Sequence, residues 1–382
     1  MSGRGQHYIP RFLQAGFNSR PGEKRPRAWL YRKESTKPVE TALTNIGKAR
    51  DFYQATVGDD TLSADDVITQ AESARLGNLV HELRNGKPAP AFDSDCIAEL
   101  FAHIQLRTKA AWTFTEDAME RFGRLVREDA EMQAILQDFI GYVVPTHTDV
   151  LASVIANAVP GVDEQHMRRS LPEVLANAPI SEIFALSQGD RAGAAYDDMA
   201  RDVMEVLKVW AMGTMAQRPE TVPEFHGCTF VVCDFPETRL VQGDTVVVYH
   251  KVDGGFTPIL REGEGFDFAF LPLTSSRVLV ASKGGVPKSG EALQEASICC
   301  TWSYFISDAK NERLQALAST IGEDIPNITD GDIKEMLRAA TRDEQHWTNC
   351  RAFLESRAYQ AICKQWVPWP WLRGDNEQNE ET

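Results

Sequence analysis

The runs CTFVVCDF (Cys228–Phe235), TRLVQGDTVVVYH (Thr238–His250), FAFLPL (268–273) and SRVLVAS (276–282) decide the fold class. Each is short and rich in β-branched or aromatic residues, and glycine pairs at 254–255 and 284–285 break the set. That texture predicts an antiparallel sheet. Upstream, the period changes. LSADDVITQAESARLGNLVHEL follows Thr61, with Ser63 as its expected N-cap, and Asp93 or Ser94 is expected to cap DCIAELFAHIQLRTKAAW. Ile97, Leu100, Phe101 and Ile104 recur at helical spacing, as do Val203, Val206, Leu207 and Trp210. With further patterns at 115–140 and 146–159, this stretch predicts about six helices. Downstream, helical patterns return in residues 292–307, 311–322, 333–342 and 352–366, before the acidic polar end GDNEQNEET, expected to be disordered.

The N-terminal fifty residues read differently. In QHYIPRFLQAGF (6–17), Pro10 biases Ile9 toward an extended backbone and Gly16 closes a short turn. NSRPGEKRPR (18–27) is a basic loop, AWLYRKE a short strand with a hairpin return after Lys37-Pro38, and NIGKARDFYQA (45–55) carries the aromatic pair Phe52 and Tyr53. The expected organisation is a strand-rich segment over 1–58, a helical domain over 59–223, a sheet region over 224–307, a helical region over 308–372 and a tail over 373–382. The fold class is α+β: the N-terminal segment packs with a central antiparallel sheet, a large helical domain is inserted between them, and C-terminal helices follow. Residues 1–58 and 225–307 are expected to form one body.

The chain has 382 residues, for which two packed units are the prior, and its 43% hydrophobic share supports a sizeable core. The net charge of −15 argues against nucleic-acid binding over the whole surface. The charge is uneven, however. Residues 1–50 hold eleven Lys/Arg against three acids, a net +8, so the remainder carries −23. That pattern reads either as a solvated basic loop or as a contact site for an anionic ligand or nucleic acid. No basic-plus-apolar leader and no apolar run of membrane-spanning length is visible. Seven irregularly spaced cysteines fit free thiols in a reducing cytoplasm.

Motifs of high specificity are lacking. There is no phosphate-binding G-x-x-x-x-G-K-[ST] loop, no H-E-x-x-H and no G-x-S-x-G. Cys228 and Cys233, behind His226, point to opposite faces of a regular strand, so core packing is favoured over zinc. No metal site is expected, and no cofactor can be named. Arg75 and His81 have a spacing similar to that of certain helical ribonucleases, against the plainer reading of exposed helix residues. Asp244 before Tyr249-His250-Lys251 has the residue types of a metal-dependent nuclease without its second acid, and reads more simply as a turn residue. His7, with Tyr8 and Arg11 in one aromatic segment, combines the groups that bind an anion or move a proton. The same residues could instead pack a core and satisfy carbonyls.

QHYIPRFLQAGF resembles the opening His-Tyr-(Val/Ile)-Pro-(Arg/Gln)-Phe motif of the domain of unknown function 4238 family. In order along the chain, WLYRK (29–33), NIGKARDFY (45–53), AHIQLRTKAAW (102–112), LVQGDTVVV (240–248), FAFLPLTSSRVLVAS (268–282) and EASICCTWSYFIS (295–307) are similar to later family segments. The family's Asn-Pro after the aspartate is Thr245-Val246 here. The resemblance singles out His7, Tyr8, Pro10, Arg11, Tyr53, Gln105, Arg107 and Asp244 as motif positions, and implies no activity.

Two functions follow as expectations. The first is a hydrolase acting on a phosphodiester or other anionic substrate. His7 would be general base or acid, Arg11 and Arg107 the anion clamp, Asp244 the orienting group or a metal ligand, and Tyr8, Tyr53 and Gln105 substrate contacts. The second is a non-catalytic binding or regulatory protein that uses the basic N-terminal face, with the same polar cluster holding the fold together. A solvent-open His7–Arg107–Asp244 site favours the first; a sealed, internally satisfied one favours the second.

Overall fold

A computed structural model describes residues 5–35, 37–158, 163–177, 190–217, 225–261 and 264–340, with short pieces at 352–353, 356–358 and 361. The predicted tail at 373–382 and most of the predicted helix at 352–366 lie outside the described residues. Both helices and antiparallel sheets are present, so the fold is α+β.

The chain opens with β1 (Gly5–His7) and the single turn α1 (Arg11–Gln14), which a 3-10 turn at Ala15–Phe17 extends. Then come β2 (Arg27–Arg32), β3 (Val39–Ala42), β4 (Lys48–Arg50), β5 (Gln54–Val57) and β6 (Asp60–Ser63). Helix α2 (Asp65–Ala71) runs through a π-helical turn at Glu72–Leu76 into α3 (Gly77–Arg84). The long helices are α4 (Ser94–Arg107), α5 (Lys109–Glu128), α6 (Ala130–Ala158), α7 (Glu164–Asn177) and α8 (Asp190–Gln217). The second strand set is β7 (Thr229–Asp234), β8 (Gln242–Gly243), β9 (Val248–Lys251), β10 (Phe256–Thr257), β11 (Phe266–Thr274) and β12 (Arg277–Ser282). Last are α9 (Gly290–Cys299), β13 (Tyr304–Ser307), α10 (Glu312–Leu317) and α11 (Asp330–Ala340).

Capping explains several of these boundaries. Asp93 accepts from the Asp95 amide at the start of α4, and Asn311 accepts from Arg313 and Leu314 at the start of α10. Ser63 does not cap α2: it pairs with Gln54 at the end of the β5–β6 hairpin, and the helix begins two residues later. Asp65 and Asp66 supply negative charge to its first turn instead.

The chain divides into two compact units. The first comprises residues 1–53, 64–114 and 211–327. Its five-stranded antiparallel sheet has the order β10-β9-β11-β12-β7. One face, with Phe268, Phe270, Val278 and Val280, packs on Leu293, Ala296 and Cys300 around α9. The other meets α4, where Phe101 lies 5.0 Å from Phe225 and 6.1 Å from Phe230 between ring centres. Both faces are therefore covered, which is why β11 reads as an almost unbroken apolar run. The four-stranded sheet has the order β3-β2-β13-β8 and stacks Tyr31 on Phe305 at 4.8 Å. That pair packs with Val241, Ile298, Leu314 and Ile321. Helix α9 thus buries one side against each sheet.

Two arginines tie α3 into this unit. Arg84 donates to the carbonyls of Leu273 (2.7 Å), Leu13 (2.6 Å) and Phe12, and burial lowers its pKa to about 10. Arg277 donates to the Leu83 and Arg84 carbonyls at 3.1 and 2.8 Å, capping the C-terminal end of α3. Gly16 is fixed by the same contact, since a Cβ there would collide with the Leu273 carbonyl and the Arg84 guanidinium.

The second unit comprises residues 54–63, 115–210 and 328–382. Its described core includes Leu125, Met132, Ile135 and Ile333. Lys334 bridges Asp129 and Glu131 at 2.8 and 2.7 Å, and Arg124 meets Asp330 at 2.7 Å. Exposed pairs of this kind add little to stability.

Candidate functional site

Strands β1 and β4 form a two-stranded antiparallel ribbon with Gly5 opposite Arg50, Gln6 opposite Ala49 and His7 opposite Lys48. Residues facing each other across a ribbon share a side, and neighbours along a strand alternate. His7, Lys48 and Arg50 therefore share one side, and Gln6 takes the other. Gln6 is buried and accepts from the Tyr53 amide at 2.6 Å. On the opposite side Lys48 and Arg50 are exposed and His7 is half-buried.

The backbone of His7 is gripped from within. Its carbonyl accepts from Arg107 Nη2 at 2.6 Å and from the Tyr53 hydroxyl at 2.5 Å. Arg107 also donates through Nε to Tyr53 at 2.7 Å, pairs with Glu72, and donates through Nη1 to His103 Nε2 at 3.1 Å. Arg107 is 2% exposed and Tyr53 2%, so these contacts take place away from water. His103 is also buried, and desolvation drops its pKa to about 4, leaving a neutral ring that accepts from Arg107. One helical turn earlier, Glu99 pairs with Arg75 of the π turn. Glu99, His103 and Arg107 thus make an i, i+4, i+8 polar ladder on a buried side of α4, closed by Glu72 and Arg75.

The His7 ring faces outward. Nδ1 donates to the Ile46 carbonyl at 3.1 Å, which fixes the tautomer and leaves Nε2 as the lone-pair nitrogen. Among the described residues no hydrogen bond to Nε2 is formed. Burial lowers the ring's pKa, assisted by the charges of Arg11, Lys48 and Arg107; the bond to Ile46 opposes this. Gly47 makes the turn beneath with φ 62°, and its carbonyl accepts from the Ile9 amide at 3.2 Å.

Asp244 belongs to a neighbouring polar group. Its two carboxylate oxygens accept from the Trp302 and Ser303 amides at 2.7 and 2.8 Å. Complete burial lifts its pKa to about 6 against the pull of these donors. Tyr304, next along the chain, shares a 3.2 Å hydroxyl contact with Tyr8. The aromatic chain Tyr8–Phe52–Tyr53, at 5.5 and 5.3 Å between ring centres, runs from this group to the Arg107 ladder.

The residues that stood out in the sequence thus fall into three settings. Arg107 and Tyr53 meet the His7 backbone. Tyr8 and Asp244 gather around Tyr304. Gln105 lies elsewhere, accepting from the Tyr249 hydroxyl, while Arg11 is exposed and near enough to act on the charge of His7. Arg75 and His81 engage different partners: Arg75 meets Glu99, and His81 Nε2 meets Asn85 at 2.9 Å. Glu72, Glu99 and His103 did not stand out in the sequence. The signal was the four-residue spacing of three polar side chains within an otherwise apolar helix. Among the described residues no cluster of His, Cys, Asp and Glu converges on a metal position, and no helix is long and apolar enough to cross a membrane.

Residues 5–358 match the family model described as Protein of unknown function (DUF4238). The chain belongs to this family. No curated protein and no solved structure matches it. In this family member the opening motif HYIPRF supplies the ribbon residue His7, the buried Tyr8 and the exposed Arg11.

Proposed function

We propose that this DUF4238 family member is a non-catalytic recognition protein whose basic N-terminal face holds an anionic partner. The observation that carries the reading is the saturation of its buried charges. Arg107 spends its donors on Tyr53, the His7 carbonyl, His103 and Glu72, and Asp244 spends both oxygens on the 302–303 amides. Groups so occupied stabilise the fold; clamping a substrate would require breaking contacts worth several kcal/mol. Arg11, Lys24, Arg25, Arg32, Lys37 and Lys48 lie exposed in the same N-terminal segment and supply the attraction.

The test is fluorescence anisotropy with a labelled single-stranded oligonucleotide across a salt series. Affinity falls with salt, and replacing Lys24, Arg25, Arg32 and Lys37 by Ser flattens the slope by roughly 0.7 for each phosphate that is no longer neutralised. Binding that is absent, or indifferent to salt, defeats the reading.

One observation favours a second reading, a hydrolase of phosphodiesters or similar anionic substrates. The fixed His7 tautomer leaves a basic Nε2 beside Arg11 and Lys48, a geometry suited to general-base work. Hydrolysis of bis(p-nitrophenyl) phosphate by the wild type, lost in His7→Asn at unchanged melting temperature, would establish it. Equal, background rates in both proteins would remove it.

A further inference from the structure

We propose that the outer side of the β1–β4 ribbon is a phosphomonoester subsite. In it Arg11, Lys48 and Arg50 hold the negative charge, and one proton is shared between His7 Nε2 and a phosphate oxygen. The inference rests on the basic-face reading and names the chemistry of one place on that face.

The ribbon's register brings His7 and Lys48 opposite each other and puts Arg50 on the same side. The Lys48 side chain lies along this side, its Nζ 4.0 Å from where a Cβ on Gly5 would stand and 3.4 Å from Asn45 Oδ1. Arg50 keeps an exposed 3.2 Å pair with Asp51. The charged groups acting on His7 are Arg11 from α1, Lys48 from β4 and Arg107 from α4, the last already paired with Glu72.

The chemistry selects among anions. With Nδ1–H committed to the Ile46 carbonyl, the neutral ring presents an acceptor in a field of cations. A phosphodiester or a carboxylate at neutral pH brings charge but no proton for that acceptor. A phosphomonoester has its second ionisation near pH 6, so its dianion can share one further proton with the ring at neutral pH. Above that pH the free ester is a dianion and the free ring is neutral, so forming the N–H–O contact draws one proton from solvent. The incoming anion also offsets the fields of Arg11 and Lys48 that disfavour a charged ring. No covalent bond changes.

The experiment compares 5′-phosphorylated and 5′-hydroxyl forms of one short oligonucleotide against the full chain. Titration calorimetry at pH 7.5 in two buffers of different ionisation enthalpy reads proton uptake. The phosphorylated form binds about tenfold more tightly, the scale of one charge-assisted hydrogen bond, and takes up close to one proton. Both the preference and the uptake disappear in His7→Gln. The double variant Arg11→Ser/Lys48→Ser leaves the Ile46 contact untouched and also loses the preference, so the idea stays exposed should His7→Gln not fold. Competition with a free 5′-mononucleotide distinguishes the source. Equal potency means the phosphate group alone is read; much weaker potency means a strand end is read. Equal, salt-sensitive binding of both oligonucleotides overturns the subsite and leaves the basic-face reading standing. Binding of neither overturns both.

Discussion

His7 belongs to two regions that treat charge in opposite ways. On its backbone side Glu99, His103 and Arg107 are buried, the partly exposed Glu72 and Arg75 close the ladder, and each described cation there meets an acceptor. On its ring side Arg11, Lys48 and Arg50 stand exposed, and of these three Arg50 is the one in a direct ion pair among the described residues. Buried charge is held only when satisfied, so the ladder's work is to hold; exposed charge costs little to leave open, so the ribbon is free to bind. The difference teaches that a histidine and an arginine close in space can serve separate ends.

Breaking the sealed side should have the largest effect. Arg107→Met removes four partnerships at once, leaving Glu72 without its arginine and the His7 carbonyl with the Tyr53 hydroxyl as its remaining donor. A loss of about 3–5 kcal/mol is expected in urea unfolding, the range for one partner taken from a buried pair. Next is Gly16→Ala, which drives a methyl into the Leu273–Arg84 contact and is expected to cost about 1–3 kcal/mol by the same measurement.

Titration sharpens the comparison further. The pKa of His103 is depressed to about 4, so its contribution is present above pH 6.5 and lost as pH falls toward 4, by roughly 3 kcal/mol in all. Asp244 has the opposite sign: its pKa is raised to about 6, so its burial penalty appears as pH rises from about 4 through 6. His103→Gln should therefore gain on the wild type as pH falls through 6.5, and Asp244→Asn should lose ground to it as pH falls through 6. Parallel stability curves for either pair would refute the assignment. The smallest effect belongs to the open side: replacing Lys24, Arg25, Arg32 and Lys37 by Ser should move stability by no more than about 0.5 kcal/mol per site in urea unfolding.

Much of this architecture could be read from residues 228–282, because strands buried on both faces leave dense apolar runs between glycine turns. The β2–β3 hairpin was likewise legible from AWLYRK and the turn at Lys37-Pro38. Helix α4 was legible in its apolar residues but not in its ladder. Hydrophobic spacing reports which side is buried and is silent about polar groups buried with it. The Ser63 cap failed for a related reason: a capping residue type is also a good strand end, and pairing with Gln54 claimed it. Arg107 and Asp244 stood out as polar residues in a motif. What sequence could not supply was the identity of their partners: backbone amides for Asp244, and for Arg107 the side chains of Tyr53, Glu72 and His103 with a carbonyl 100 positions away.

The most direct measurement pairs the two sides. Affinity for the labelled oligonucleotide should be measured for Arg107→Met, at a temperature where it remains folded, and for the Lys24/Arg25/Arg32/Lys37→Ser variant. Arg107→Met is expected to bind within about twofold of wild type despite its lower stability, while the serine variant loses most of its affinity at full stability. Lost affinity in Arg107→Met with stability intact, or full affinity in the serine variant, would contradict the division between a side that holds and a side that binds.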